Sequence, residues 1–437
     1  MPLIHTFRNQ IFSLWQSAIR HVEKSRVYSR SDRAPKMMNQ FVALADAYSR
    51  GGRVPARDDL GNIIDKCAKL AAELAWAEIT GDKPRMKKLI NELRMSTCDP
   101  GWVEAMEVYL EFRKNAGKIP YIRYKQLDDF IISIPNHATI GLIADWRTGT
   151  EAAEWLLSEV MSHAPDVLIH LGDIYYAGTE EEVRENFLDV MRKHAGNTQV
   201  YTLSGNHDMY SGGRGYYWLL KQLKQPASYF CLRNDYWQFL AMDTGLHDNN
   251  PFSVSSNLTY LDPGEVTWHL HKLSTAGKRR TMLLSHHQLF SALGVGADGT
   301  GKQVGFNPHL LEAFRYDLDR VSLWLWGHEH NLIVFEPYLN LMRGRCIGAG
   351  AIPMMVEEKP YQPNPNLNLQ GQALPPVMAL NKAKLSTNND QFYYHSYAIM
   401  DLHKAEGRVS YYQLDSINNG SSQLLYSESI GKRKGRG

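Results

Sequence analysis

A chain of 437 residues, 43% of them apolar and 22% charged, can bury a large core and leaves room for one large domain with one or two extensions, which excludes the disordered and fibrous classes. Lysine and arginine number 48 against 46 for aspartate and glutamate, so a formal charge of +2 supplies no long-range field that would favour extended nucleic acid or an anionic membrane. Cys67, Cys98, Cys231 and Cys346 lie far apart with no CxxC pair, and no apolar run approaches the length of a bilayer span, so the expectation is a cytoplasmic protein without a membrane span.

The chain opens with Ile11, Leu14, Trp15 and Ile19 at helical spacing, but polar residues interrupt before the hydrophobic stretch of a signal peptide can form. Helical periodicity then dominates to about residue 118. Ile63, Ile64, Cys67, Leu70, Ala71, Leu74 and Ala75 make one stripe, Met106, Val108 and Tyr109 another, and Pro84 and Pro100 punctuate them. Residues 1–135 therefore read as a helical N-terminal region, whose stripes serve core and interdomain packing or form a cap beside a site.

From Ala138 the pattern changes to short β-rich runs, at 139–144, 167–170, 199–203, 237–242, 281–284 and 321–326. Helices fit between several of them, at 151–161, at 180–193, and after Asp262, where Pro263 takes the first helical position and Glu265 the third residue past the cap. Further strands fit 332–335, 345–348, 396–402 and 409–414, with a Pro-, Asn- and Gln-rich surface excursion at 357–372. The expectation is an α/β layered domain over 136–425 with long surface insertions, and a basic flexible tail over 426–437 ending in GKRKGRG. Such sheets collect polar ligands beyond the carboxyl ends of their strands.

Five short segments, each just after an apolar run, carry acidic, amide and imidazole groups. They are Asp145 after IGLIA, GDIYY from Gly172 to Tyr176, GNHD from Gly205 to Asp208, SHH from Ser285 to His287, and GHEH from Gly327 to His330. One alone is weak. Five at successive strand ends converge in space, and groups that each prefer solvent or a partner cluster there for a common reason, of which a metal is the leading one.

The ordered set resembles the calcineurin-like metallophosphoesterase superfamily over roughly residues 138–350, and within it the purple acid phosphatase type, so the implied fold is a layered α/β metallophosphoesterase sandwich. That family's pattern begins Asp-x-His, whereas here Asp145-Trp146-Arg147 lacks the histidine. The purple type lacks it as well and replaces it with a tyrosine in GDxxY, a position held here by Tyr176.

The resemblance implies that Asp145, Asp173, Tyr176 and His330 hold one metal ion, that Asp173 bridges to a second, and that Asn206, His286 and His328 complete the second. A shared carboxylate suits cations about 3.5–4 Å apart. Oxygen ligands mixed with imidazole suit iron, manganese or zinc. A phenol of ordinary pKa near 10 ligates at neutral pH only where the metal's charge offsets its proton, which points to Fe(III) beside Fe(II), Mn(II) or Zn(II). By the same resemblance His207 contacts phosphate and protonates the leaving oxygen while Asp208 orients its ring. His287 is left to substrate contact or packing, and Arg147 to a phosphate oxygen or a salt bridge to an acidic helix. The implied activity is two-metal hydrolysis of phosphate esters by in-line attack of a metal-activated hydroxide. Its substrate is a phosphorylated small molecule or nucleotide, with a small-diester phosphodiesterase and a non-catalytic scaffold of the same fold as alternatives. The loops 245–257 and 291–305, the latter rich in glycine, would set the depth of the pocket.

Overall fold

Two runs of parallel strands, one run in each of two facing sheets, build the framework on which every candidate residue hangs. In the computed structural model the residues described are 82, 84–85, 112, 118–146, 151–250, 256–352, 354, 356–388, 392–414 and 421–431. The chain divides into two compact units, Met1–Asn115 and Ala116–Gly437, and both sheets belong to the second. Nearly all of residues 1–117 of the expected helical N-terminal region, with Cys67 and Cys98, and also Arg147, residues 251–255 of the first pocket loop and residues 432–437 of the tail lie outside the described residues.

The first sheet has seven strands in the order β1 (Ile131–Ser133), β5 (Phe230–Arg233), β6 (Trp237–Ala241), β7 (Arg280–Leu284), β8 (Val321–Trp326), β10 (Gly344–Ile347), β9 (Leu332–Val334). The second has six, β13 (Ser422–Ser429), β12 (Glu406–Leu414), β11 (Ser396–His403), β2 (His137–Ile143), β3 (Val167–His170), β4 (Gln199–Thr202). β2, β3 and β4 run parallel, as do β6, β7 and β8. Their carboxyl ends feed the loops after Ile143, His170, Thr202, Ala241, Leu284 and Trp326, and every candidate site residue among the described ones lies on one of those loops or in the helical turn that follows it.

Period-two alternation sorts the side chains into layers. Ile140 and Leu142 of β2 and Ile169 of β3 face the first sheet and join Phe239, Leu283, Trp324 and Trp326 in the main core. Ile143 and Leu168 point the other way, onto Leu156, Leu157 and Val160 of helix α1 (Glu151–Ser162). Between these strands and α1 there is no room for another side chain at Gly141, where a methyl would press on Val160 and Leu168. Layering of this kind makes the unit a two-sheet α/β sandwich.

Several expected boundaries shift for physical reasons. Strands β1, β5 and β13, and helices Arg214–Leu223 and Pro308–Phe314, are too short or too mixed in pattern to be read from periodicity. β13 takes in residues 426–429, which composition assigns to the tail, and Ile430 is buried beyond it. Segment 118–130, within the expected N-terminal region, instead straps onto helix α2 (Pro263–Ser274). Tyr121 stacks on Tyr229, Arg123 pairs with Asp262, and the buried Lys272 ammonium donates to the Leu127 carbonyl. The polar excursion is not wholly surface, since Tyr361 is buried and its hydroxyl donates to the Leu332 carbonyl at 3.1 Å. Among the described residues Cys231 and Cys346 are buried free thiols, and no helix is long and apolar enough to cross a membrane.

Candidate metal centre

Four candidate ligands, Asp145, Asp173, His328 and His330, have left-handed backbones, with φ of 49°, 72°, 68° and 50°. Such angles strain a residue other than glycine by about 1–3 kcal/mol and persist only where the surroundings enforce them. Here the chain turns sharply off the strand and throws the side chain inward. The motif glycines permit the crowding that results: a methyl at Gly205 would collide with the Asp173 carboxylate, and one at Gly327 with that of Asp145.

Six of the seven expected ligands are brought together. His286 Nε2 lies 3.2 Å from Asn206 Oδ1, 3.1 Å from His328 Nδ1 and 3.3 Å from Asp173 Oδ2. His330 Nε2 lies 3.4 Å from Asp145 Oδ1, and the Asp145 Oδ2 atom accepts from the His328 N–H at 2.8 Å. All six side chains are buried or nearly so.

Among the described residues no contact joins the seventh, Tyr176, to these atoms. The phenol among these atoms belongs to Tyr175, whose hydroxyl lies 3.2 Å from Asp145 Oδ1, 3.1 Å from Asp173 Oδ2 and 2.9 Å from His330 Nε2. Tyr176 contributes backbone: its N–H donates to Glu182 at 2.6 Å and its carbonyl accepts from His207 Nδ1 at 2.6 Å. Glu182 explains the shift. Its carboxylate also takes the N–H groups of Ala177 and Thr179, closing a capping box that ties residues 176–179 to the following helix and leaves the preceding tyrosine facing the cluster.

The chemistry of this donor set fits a bound cation. His286 Nδ1 faces the Leu171 carbonyl at 2.9 Å, and a carbonyl only accepts, so in the neutral ring the proton sits on Nδ1 and Nε2 presents a lone pair. The Asn206 Nδ2 donates to the Tyr210 hydroxyl at 2.6 Å, turning Oδ1 inward. Lone pairs of His286, Asn206 and Asp173 thus meet in a buried space, an arrangement that is costly unless a proton or a metal ion sits among them. With a proton as the available cation, burial opposes charge on His286, yet Asp173 and Asp145 push it up to about 9. Burial likewise opposes charge on Asp173, and His286 and His207 outweigh it and hold that carboxyl well below the usual range. Ligand atoms of Asp145, Asp173 and His286 all lie within 4.8 Å of one another.

The expected substrate groups are placed differently from one another. His207 is 1% exposed, packed between the rings of Tyr175 (centroids 4.4 Å apart) and Tyr210 (4.7 Å). With Nδ1 donating to Tyr176, its Nε2 faces inward, 3.8 Å from Asp173 Oδ2, and burial lowers its pKa to about 4 against the pull of Asp173. The expected contact between Asp208 and His207 does not form, because the Tyr176 carbonyl takes that place. Asp208 instead accepts from the backbone N–H groups of Gly205 (2.7 Å), Asp173 (2.9 Å) and Ile174 (3.2 Å), pinning two ligand loops together. Thr244 Oγ1 accepts from the His287 backbone N–H and meets Nδ1 at 2.9 Å, while Nε2 meets Asp248 at 3.0 Å, so both ring nitrogens are engaged and the ring packs against His328 at 4.4 Å.

A supporting layer was missed in the sequence. Asp243, at the end of β6, accepts from Ser204 Oγ, from the Leu246 N–H and from the Tyr217 hydroxyl, which ties the Asn206 loop to the Thr244 loop. Glu265, expected to close a capping box, is buried instead: it accepts from the Asp243 N–H and the Tyr121 hydroxyl, each at 2.8 Å. Asp243 follows the apolar run WQFLAM much as Asp145 and Asp173 follow theirs, a signal that was present. Nothing in the sequence distinguished a buried Glu265 from a solvated one.

Residues 138–332 match the family model described as calcineurin-like phosphoesterase. No curated protein sequence matches the chain. Among solved structures, a purple acid phosphatase from yellow lupin (Lupinus luteus) seeds is similar at 13% identity, over 68% of this chain and 54% of that one, with a TM-score of 0.42; this chain thus spans about half the lupin protein. PhoD is similar at 10% identity, over 68% and 70%, with a TM-score of 0.45. Vacuolar Protein Sorting 29 from Cryptosporidium parvum is similar at 12% identity, over 68% and 99%, with a TM-score of 0.29.

Proposed function

We propose, from the match of residues 138–332 to the calcineurin-like phosphoesterase model, that this chain hydrolyses phosphate esters at a two-metal centre. One ion would be held by Asp145, Asp173, Tyr175 and His330, the other by Asp173, Asn206, His286 and His328. The convergence of buried acceptor atoms on His286 Nε2 carries this reading. When bound, the pair of ions supplies Lewis-acid polarisation of a phosphoryl oxygen and activation of water.

The chain's own groups do the rest. The left-handed ligand residues would fix where the phosphate is presented, and Asp208 keeps the Asp173 and Asn206 loops in register through backbone donors. His207 is held in one tautomer by the Tyr176 carbonyl, with Nε2 directed inward. With that nitrogen facing the cluster, the ring in its protonated form would contact phosphate and give its proton to the leaving oxygen. A phosphorylated small molecule or nucleotide is the proposed substrate class, and iron with iron, manganese or zinc the proposed metal pair.

Stripping the full-length protein with a chelator should abolish hydrolysis of aryl phosphates, and restoring Fe, Mn2+ or Zn2+ should recover it. Parallel assays with aryl monoesters and bis-aryl diesters assign the ester class. A protein that takes up two equivalents of metal yet turns over neither substrate would make the scaffold reading the correct one. His207→Ala should retain metal and lose activity most on poor leaving groups, on the order of 10²–10⁴-fold for phenyl phosphate and less for nitrophenyl phosphate. Equal losses across that series would leave His207 as a phosphate contact without a proton-transfer role.

A further inference from the structure

We propose that Tyr210 is a positioning residue for the second metal position, the acceptor that allows the Asn206 amide to face the metal through its oxygen. The inference rests on the two-metal reading above. A ligating amide must turn Oδ1 to the cation, and its NH2 group then needs a partner on the far side. Asn206 is 1% exposed and Tyr210 is 1% exposed, so bulk water does not reach that side. The Tyr210 hydroxyl does, 2.6 Å from Nδ2.

The local fold produces this contact. Asn206 stands at the N-cap position of the short helix His207–Tyr210 but makes no capping bond with its side chain, so the amide is free for other work. Four residues later, at the spacing that brings helix side chains together, Tyr210 lies beside it. The same ring packs against His207 at 4.7 Å. One tyrosine therefore backs both a ligand and the proposed acid, through two separable features: the hydroxyl serves Asn206 and the ring serves His207.

Tyr210→Phe removes the first feature and keeps the second. The test uses full-length protein stripped by chelator and titrated with Zn2+ in a calorimeter. The wild type should take up two equivalents. In Tyr210→Phe the weaker-held second equivalent should lose about 10–100-fold in affinity, the usual cost of removing a partner that orients a ligand, while the first changes little. Asn206→Ala should weaken the same equivalent. The double variant should be no weaker than Asn206→Ala alone, because on this proposal the Tyr210 hydroxyl reaches the metal position through that amide. Additive losses, or wild-type Zn2+ affinity in Tyr210→Phe, would overturn the proposal while leaving the two-metal reading intact. A wild type that binds no Zn2+ would overturn both. A second measurement needs no variant: in zinc-loaded wild type labelled with 15N-asparagine, the Asn206 side-chain protons should be protected from exchange with solvent. Rapid exchange there would also overturn it.

Discussion

Asp173→Asn is expected to empty the second metal position, weaken the first and reduce hydrolysis by on the order of a thousandfold, since the Lewis-acid contribution amounts to several kcal/mol and each 1.36 kcal/mol is a factor of ten. The reason lies in how many partners this one side chain serves. Its Oδ2 faces His286 and Tyr175, and its Oδ1 accepts from the His207 N–H at 3.0 Å. An asparagine keeps the shape but replaces one oxygen with an NH2 group. If the NH2 takes the Oδ1 place, two donors meet at His207. If it takes the Oδ2 place, the shared oxygen is lost to both ions. Either orientation also removes the negative charge that holds His286 up near 9, so the cluster's preference for a cation of any kind falls. Metal content by elemental analysis beside steady-state rates on an aryl phosphate is the measurement. Two retained metals with undiminished turnover would refute the bridging role.

That Asp173 could be placed at a strand end, beside Asp145 and His286, from the sequence alone reflects how the fold exposes its chemistry. Strands β3 and β8, at Val167–His170 and Val321–Trp326, coincide with the apolar runs that announce them, because central strands buried on both faces leave no alternation to misread. A charged, amide or imidazole residue within a few positions of such a run must sit near a strand end, and Asp145, Asp173, Asn206, His286, His328 and His330 all follow that logic. β5 and β13 were not legible. Phe230–Arg233 is four residues long, and β13, SQLLYSES, is an edge strand whose polar face resembles a tail.

Support for the site was hidden for a different reason. Asp208 and Asp243 differ from other acidic residues only in burial, which depends on contacts far away in sequence. Asp208 serves the loop of Asp173, and Asp243 serves that of Ser204 and receives Glu265 from α2. Adjacent residues in one motif suggest that Asp208 should hold His207. Three backbone N–H groups outcompete that neighbour, since leaving buried donors unpaired costs about 1–3 kcal/mol each. Periodicity and motif spacing carry no information about such competition.

The tyrosines give the sharpest instance, because the motif favours one and the geometry the other. Burial first, then Asp173 and Asp145, raise the Tyr175 phenol well above its ordinary value of 10, so with no cation present it keeps its proton and donates to the carboxylates around it. Deprotonation at neutral pH therefore demands a nearby charge large enough to outweigh both carboxylates and the burial, and a trivalent ion meets that demand better than a divalent one. Iron-reconstituted wild type should show a tyrosinate-to-Fe(III) charge-transfer band in the visible, and protein loaded with Zn2+ alone should be colourless. Tyr175→Phe should abolish the band and weaken iron binding by about 10–100-fold or more, the lower bound being the loss seen when a mere supporting partner is removed. Tyr176→Phe should keep the band, because the contributions of Tyr176 to the Glu182 and His207 contacts come from its backbone and survive the substitution. A band lost in Tyr176→Phe and kept in Tyr175→Phe would restore the GDxxY assignment. Iron-loaded wild type with no band at all would reject tyrosinate ligation, leaving the Tyr175 hydroxyl as a neutral donor to Asp145 and Asp173 and the first position to a divalent ion.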